Sequence, residues 1–129
     1  EDYLLASSIL GVLAQRLVRV ICPSCREPEA VQQEVLREAG FSERPPPTVY
    51  HGVGCQECGQ TGFRGRLGIF ELMLMDHDVR RLTVSSADAS KLRRAAIENG
   101  MWTLRLDGFD KVRRGLTSMG EVLRVTQEG

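Results

Sequence analysis

Apolar residues return along this chain with two different periods. From Asp2 to about Val20, Leu5, Ile9, Val12, Leu13 and Leu17 recur every three or four positions, the period of a buried helical face. Gln15, Arg16 and Arg19 fall largely outside that stripe. The pattern predicts one amphipathic helix that stops near Ile21, because Pro23 disfavours helix at Cys22 and cannot extend the hydrogen-bond ladder. A shorter helix is expected from Glu29 to Ala39, with Val31, Val35 and Leu36 facing inward and Gly40 as its stop. The prolines at 45, 46 and 47 make a stiff spacer, and Thr48-Val49-Tyr50 suggests a short strand after it.

The run Leu67 to Met75 is apolar on both of its alternating sides, which predicts a mostly buried strand, with helix as the rival. Glu71 within it needs an edge position or an arginine partner. Asp76 is placed to cap a short helix through Leu82 and Val84. Ser86 precedes a helix of about a dozen residues with Leu92, Ala95, Ala96 and Ile97 as core candidates and Gly100 at its end. Met101 to Arg114 reads as a further helix, interrupted by Gly108 and stopped by Gly115. Ser118-Met-Gly-Glu121 matches the capping-box pattern and opens a last helix carrying Val122, Leu123 and Val125. The expected fold class is mainly α with a small β component.

At 129 residues the chain suffices for one domain with a moderate core and a satellite lobe. Its 17 basic and 17 acidic residues cancel, which argues against nonspecific nucleic-acid or membrane binding as the main task. Fifteen of the basic residues are arginines, suited to bidentate pairing with carboxylate or phosphate. The doublets Arg80-Arg81, Arg93-Arg94 and Arg113-Arg114 are expected on solvated helix faces. No stretch has the roughly 18 apolar residues of a membrane span. The start at Glu1, running almost at once into an apolar helix, reads as a piece cut from a longer protein.

The only cysteines form two CxxC pairs, Cys22-Pro-Ser-Cys25 and Cys55-Gln-Glu-Cys58, with 29 residues between them. Each turn points two thiolates at one centre, and two such turns together make the tetrahedral sulfur cage of structural zinc. Gly54 and Gly59 flank the second turn, where tight backbone calls for positive φ. Two disulfides would need an oxidising compartment, and nothing in the sequence resembles a signal peptide. A redox CxxC usually comes once, beside a βαβ unit. Iron is the third rival, but the aromatic core of a rubredoxin is missing, since only Phe41 and Tyr50 stand between the pairs. His51 is expected at the surface rather than among the ligands. A closed four-sulfur site leaves no position for catalysis.

No catalytic constellation competes with this structural reading. Neither Lys91 nor Lys111 follows the glycine that a phosphate-binding GxxxxGK[ST] loop requires. With the cysteines engaged and two histidines in all, neither a Cys/His nor a Ser/His/Asp arrangement can be argued. The chain by itself is expected not to turn over a substrate.

Three blocks carry a resemblance to a known family. They are Leu10-Gly-Val-Leu-Ala-Gln-Arg-Leu-Val-Arg19 leading to Cys22-Pro-Ser-Cys25, the segment Cys55-Gln-Glu-Cys58 to Leu72, and the ending Gly115 to Thr126. Together they resemble the C-terminal part of the type II secretion ATPases and, similarly, of the type IV pilus assembly ATPases. The resemblance implies a cytoplasmic homohexameric motor, peripheral to the inner membrane through platform proteins. ATP hydrolysis with Mg²⁺ in the intact parent drives pseudopilin or pilin assembly. It implies a division into an N-terminal helix (1–21) continuing from a missing ATPase core, a tetracysteine zinc lobe (22–64), and a strand with a helical subdomain (65–129). It also implies that Cys22, Cys25, Cys55 and Cys58 bind structural Zn²⁺ and that Arg66, in Gly65-Arg66-Leu67-Gly68-Ile69, lies towards the nucleotide. A plain salt bridge from Arg66 to an acidic residue such as Glu71 is the alternative. Gly120 stands where members often carry Glu, a change that weakens a helix by up to about 1 kcal/mol. Two function classes follow. One is a noncatalytic motor subdomain making subunit contacts and positioning nucleotide; the other is a free-standing zinc-ribbon adaptor for protein or nucleic acid.

Overall fold

The computed structural model describes residues 7–85 and 87–127. Four strands, β1 (Gly11–Ile21), β2 (Arg26–Pro28), β3 (Tyr50–Gly52) and β4 (Phe63–Leu74), form two two-stranded sheets, β1 with β4 and β2 with β3. Among the described residues they are accompanied by the helices α1 (Gln33–Glu38), α2 (His77–Val84), α3 (Ala89–Glu98), α4 (Leu104–Arg113) and α5 (Met119–Val125), and residues 7 and 8 are helical as well. Hydrogen bonds at both ends of the long pair, Met75 N–H to Leu10 C=O at 2.9 Å and Cys22 N–H to Gly62 C=O at 3.0 Å, set β1 and β4 antiparallel. The short pair is antiparallel as well, with Glu27 opposite His51.

The helix expected over residues 2–21 is corrected in part: residues 7 and 8 are helical, but residues 11–21 are a strand. Leu5 lies outside the described residues. Val12, Leu13 and Leu17, expected in a helical core, are exposed. Burial instead alternates over the last part of the strand, where Leu17 and Arg19 are exposed while Val18 and Val20 turn inward. The β-branched Val12, Val18, Val20 and Ile21 favour that geometry, and β4 supplies the hydrogen-bonding edge an isolated helix would not need. With strands of 11 and 12 residues, the β component is larger than expected of a mainly α chain.

The chain divides into two compact units, and β1 and β4 each contribute residues to both. The first unit takes the described residues up to Gln15 together with Phe70–Leu104. Its core is Met75, Val79 and Ala96, with Ile9, Met73, Leu92, Ala95 and Met101 packed against them. Asp76 caps α2 as expected, accepting from Val79 N–H at 3.0 Å. Asp88 caps α3 through Lys91 N–H at 2.9 Å, whereas Ser86, the expected start, lies outside the described residues. Ile97 is exposed rather than core. Glu71 meets an arginine, as its burial required. Its carboxylate accepts from Arg93 at 2.9 Å and from Leu104 N–H, the first residue of α4, at 2.9 Å. The outer side of β4 departs from expectation, for Phe70, Leu72 and Leu74 are exposed.

The second unit holds Arg16–Ile69 and the described residues from Arg105 onward. Leu36 of α1 is buried, while Val35 is exposed, since a six-residue helix turns only one narrow face inward. The strand expected at Thr48–Tyr50 begins at Tyr50. Gly108 does not interrupt α4; it lies inside the helix, where a Cβ would stand 2.6 Å from Val122 Cγ1. The glycine thus buys close approach of α5 at the cost of helix propensity. The cap of α5 is half a capping box. Ser118 Oγ accepts from Glu121 N–H at 3.2 Å, but the Glu121 carboxylate turns to Arg19 instead of back to its own helix. Arg113 is not a solvated decoration: it donates to Glu43 at 2.7 Å and lies 4.1 Å over the Phe41 ring, which in turn meets Phe109 edge-on.

Candidate metal centre

The two CxxC turns belong to the second unit and sit at strand ends. Cys22 directly follows β1, and Cys55 to Cys58 precede β4, so the first turn caps a strand rather than the expected helix. The four sulfurs lie within 4.8 Å of one another. Cys22–Cys55 is 3.8 Å, Cys25–Cys58 is 3.9 Å and Cys55–Cys58 is 3.6 Å between Sγ atoms. A tetrahedron with zinc–sulfur bonds of about 2.3 Å has edges of about 3.8 Å. The donor set therefore fits a tetrahedral four-thiolate ion.

Backbone amides are aimed at the sulfurs. Gly54 N–H donates to Cys25 Sγ at 3.3 Å, Cys55 N–H to Cys58 Sγ at 3.3 Å, and Gly62 N–H to Cys58 Sγ at 3.2 Å. Burial alone raises the Cys58 thiol, but the N–H groups of Cys55 and Gly62 outweigh it and bring its pKa down to about 6. Burial pushes Cys25 up to about 11 against the opposing Gly54 amide. A thiolate is the ligating form, and the amides aimed at Cys58 Sγ favour it there.

Gly62 joins the two turns. It donates to Cys58 Sγ, while its carbonyl accepts from Cys22 N–H at 3.0 Å. Its φ is +81°, and a Cβ there would stand 2.4 Å from Gly52 O. Gly54 and Gly59 have positive φ as expected. At the surface of the site Ser24 donates to Glu57, which also faces Arg64 at 3.8 Å.

His51 does not join the four-cysteine cluster. It is not the surface histidine expected either, since it is half-buried in β3 and its Nδ1 is buried without a hydrogen-bond partner among the described residues. Arg66 lies exposed on β4 and forms no ion pair among the described residues. The alternative bridge to Glu71 is not made, because Glu71 is engaged by Arg93.

One functional-looking constellation escaped the sequence reading. Glu121, whose side chain is 1% exposed, accepts from Arg19 N–H, Nε and Nη2 at 2.9, 3.1 and 2.9 Å and from Arg124 Nη2 at 2.9 Å. Only its capping-box position marked it in the sequence. Its links to Arg19 hold α5 beside the strand that leads into Cys22.

Residues 1–124 match the family described as Type II/IV secretion system protein. The Type II secretion system protein E of Pseudomonas aeruginosa is 45% identical over 128 residues, which cover 99% of this chain and 25% of that protein. The Type II secretion system ATPase E of Vibrio cholerae is 43% identical, with the same coverage of 99% and 25%. The Type IV pilus assembly ATPase PilB of Thermus thermophilus is 38% identical over 130 residues, covering 99% of this chain and 15% of that protein. The chain thus spans a quarter or less of the length of these curated relatives.

Proposed function

Because this chain belongs to the type II/IV secretion system protein family, we propose that it is the noncatalytic, zinc-bearing part of a hexameric ATPase that powers type II secretion or pilus assembly. The observation that carries the reading is the four-sulfur cluster, whose edges suit a tetrahedral ion and leave no ligand position for a reacting water. Cys22, Cys25, Cys55 and Cys58 would hold the metal, and a bound Zn²⁺ supplies a covalent-strength cross-link between segments far apart in sequence. The residues around it do the positioning. Gly62 ties the second turn to the first, and β4 leaves the cage as a strand bearing Arg66.

In this reading Arg66 serves the nucleotide or a neighbouring subunit in the assembled motor. Its support is exposure without an ion-pair partner, on a strand whose start the metal fixes. A guanidinium keeps its charge and can pair two oxygens, which suits a phosphate or a carboxylate across an interface. Exposed Leu10, Leu13, Phe70, Leu72 and Leu74 support a protein-covered environment for the first unit in the motor. The Cβ direction of Gly11 meets Leu72 and Leu74, so the side of β1 that carries Gly11 and Leu13 shares a face with Leu72 and Leu74 of β4. Among the described residues no helix is long and apolar enough to cross a membrane.

The test is made in the full-length hexameric protein. Arg66→Ala is expected to lower ATP turnover with metal content and hexamer assembly unchanged. Unchanged turnover in normally assembled hexamers contradicts the assignment of Arg66. Turnover by the 129-residue chain alone, surviving repurification, contradicts its noncatalytic role.

A further inference from the structure

The second unit carries a concavity apart from the cysteine cluster. It has a volume of about 340 Å³ and lies between α1 and the loop that follows it, with Gln33, Arg37, Phe41, Arg44, Pro45 and Pro46 in its walls. That volume is within the range of a site for a small group or a few side chains. Its charge is unbalanced. The one carboxylate in its lining, Glu43, is taken by Arg113 at 2.7 Å. Arg37 and Arg44 are exposed and make no ion pair among the described residues.

The walls are also set in advance. Phe41 N–H donates to Leu36 C=O at 2.8 Å, closing the loop on the end of α1. Arg113 holds the loop from its other side, donating to Glu43 and to Gly40 C=O and stacking on Phe41. The two prolines restrict the far wall. A preformed site of this kind loses little further freedom on binding.

We propose that this concavity docks an acidic segment of a partner protein, with a carboxylate pair on Arg37 and Arg44 and an adjacent apolar side chain on Pro45 and Pro46. Magnitudes decide for a peptide against a free small anion. Exposed guanidiniums are screened by salt and give a lone ion little. A peptide adds apolar burial against the proline wall to the same charge pairing. Arginine forks match carboxylates in pairs, and Gln33 and Ser42 bring further hydrogen-bonding groups to the lining.

The test uses the full 129-residue chain and a panel of fluorescent peptides of one length, each with a Glu-Glu pair flanked by Leu, Phe, Pro or Ser. Anisotropy should detect binding of the apolar-flanked members ahead of the Ser-flanked one. Replacing Glu-Glu by Gln-Gln, or the chain by the R37Q/R44Q variant, should weaken binding by about tenfold or more. Both arginines are exposed, so metal content and far-ultraviolet circular dichroism of the variant should match the parent. If they do not, amide shifts at Gln33 and Ser42 in the unaltered chain give the same readout. The proposal is overturned if no panel member binds, if Gln-Gln peptides bind equally, or if the arginine variant retains affinity. Displacement by inorganic phosphate at matched ionic strength overturns it in favour of a free anion.

Discussion

Replacing Glu121 by Gln removes the charge of a buried, ion-paired carboxylate of the second unit while keeping its shape. The side chain is 1% exposed, and burial by itself would raise its pKa. Hydrogen bonds from the Arg19 and Arg124 guanidiniums and from Arg19 N–H overcome that and bring it from the ordinary 4.5 to about 2. A shift of that size corresponds to about 3 kcal/mol of stability. The arginine side chains are 46% and 59% exposed and can return to water when the carboxylate is lost, which reduces the cost of removing it. Glu121→Gln is therefore expected to destabilise the chain by roughly 2–3 kcal/mol at neutral pH. The sign of the pH dependence follows from the depressed value. The contribution is complete above the ordinary 4.5 and is lost as pH falls through the folded value of about 2. Acid also weakens metal binding by a thiolate site, so the informative quantity is the difference between the two proteins at each pH. Urea unfolding of both, followed by circular dichroism, should give a gap that is constant near neutrality and narrows on acidification towards pH 2. A gap below about 0.5 kcal/mol at pH 7, or one that stays constant into acid, refutes the reasoning.

Two further substitutions probe the links of site and fold. Gly62→Ala puts a Cβ 2.4 Å from Gly52 O at a φ of +81°, so it should cost roughly 1–3 kcal/mol and weaken metal retention against a chelator. Parent-like metal release rates would contradict that. Asp76→Ala removes the cap of α2 and should cost about 1 kcal/mol in urea melts while leaving metal content unchanged. A change in metal content would contradict the independence of that cap from the cage.

What the sequence revealed depended on how local each cause is. The cysteine pairs were legible because each turn is fixed within four residues, and the structure brings their sulfurs together. Caps were legible for the same reason: Asp76 and the positive-φ Gly40, Gly100 and Gly115 stand where helices start or stop. Residues 11–21 were misread because Val12, Leu13 and Leu17 satisfy a helical period by accident of spacing. Pairing with β4, some fifty residues away, decided the outcome. Glu121 was read as half of a local cap because its main partner, Arg19, lies 102 residues earlier. Arg93 and Arg113 looked like surface charge until distant Glu71 and Glu43 met them. The Arg37–Arg44 concavity was invisible for a related reason, since it depends on which nearby carboxylate is already engaged.

The most direct test of the structural metal centre is elemental analysis of the reduced, folded chain, paired with sulfur-edge and metal-edge X-ray absorption and with hydrogen exchange on Cys55→Ser. The account expects one zinc per chain in a four-sulfur shell, with a binding free energy on the order of 10–16 kcal/mol. In Cys55→Ser the metal should be lost, and protection should fall across residues 22–62 more than in α4 and α5. Iron in the site, or a reduced chain that folds with full protection and no metal, would contradict it.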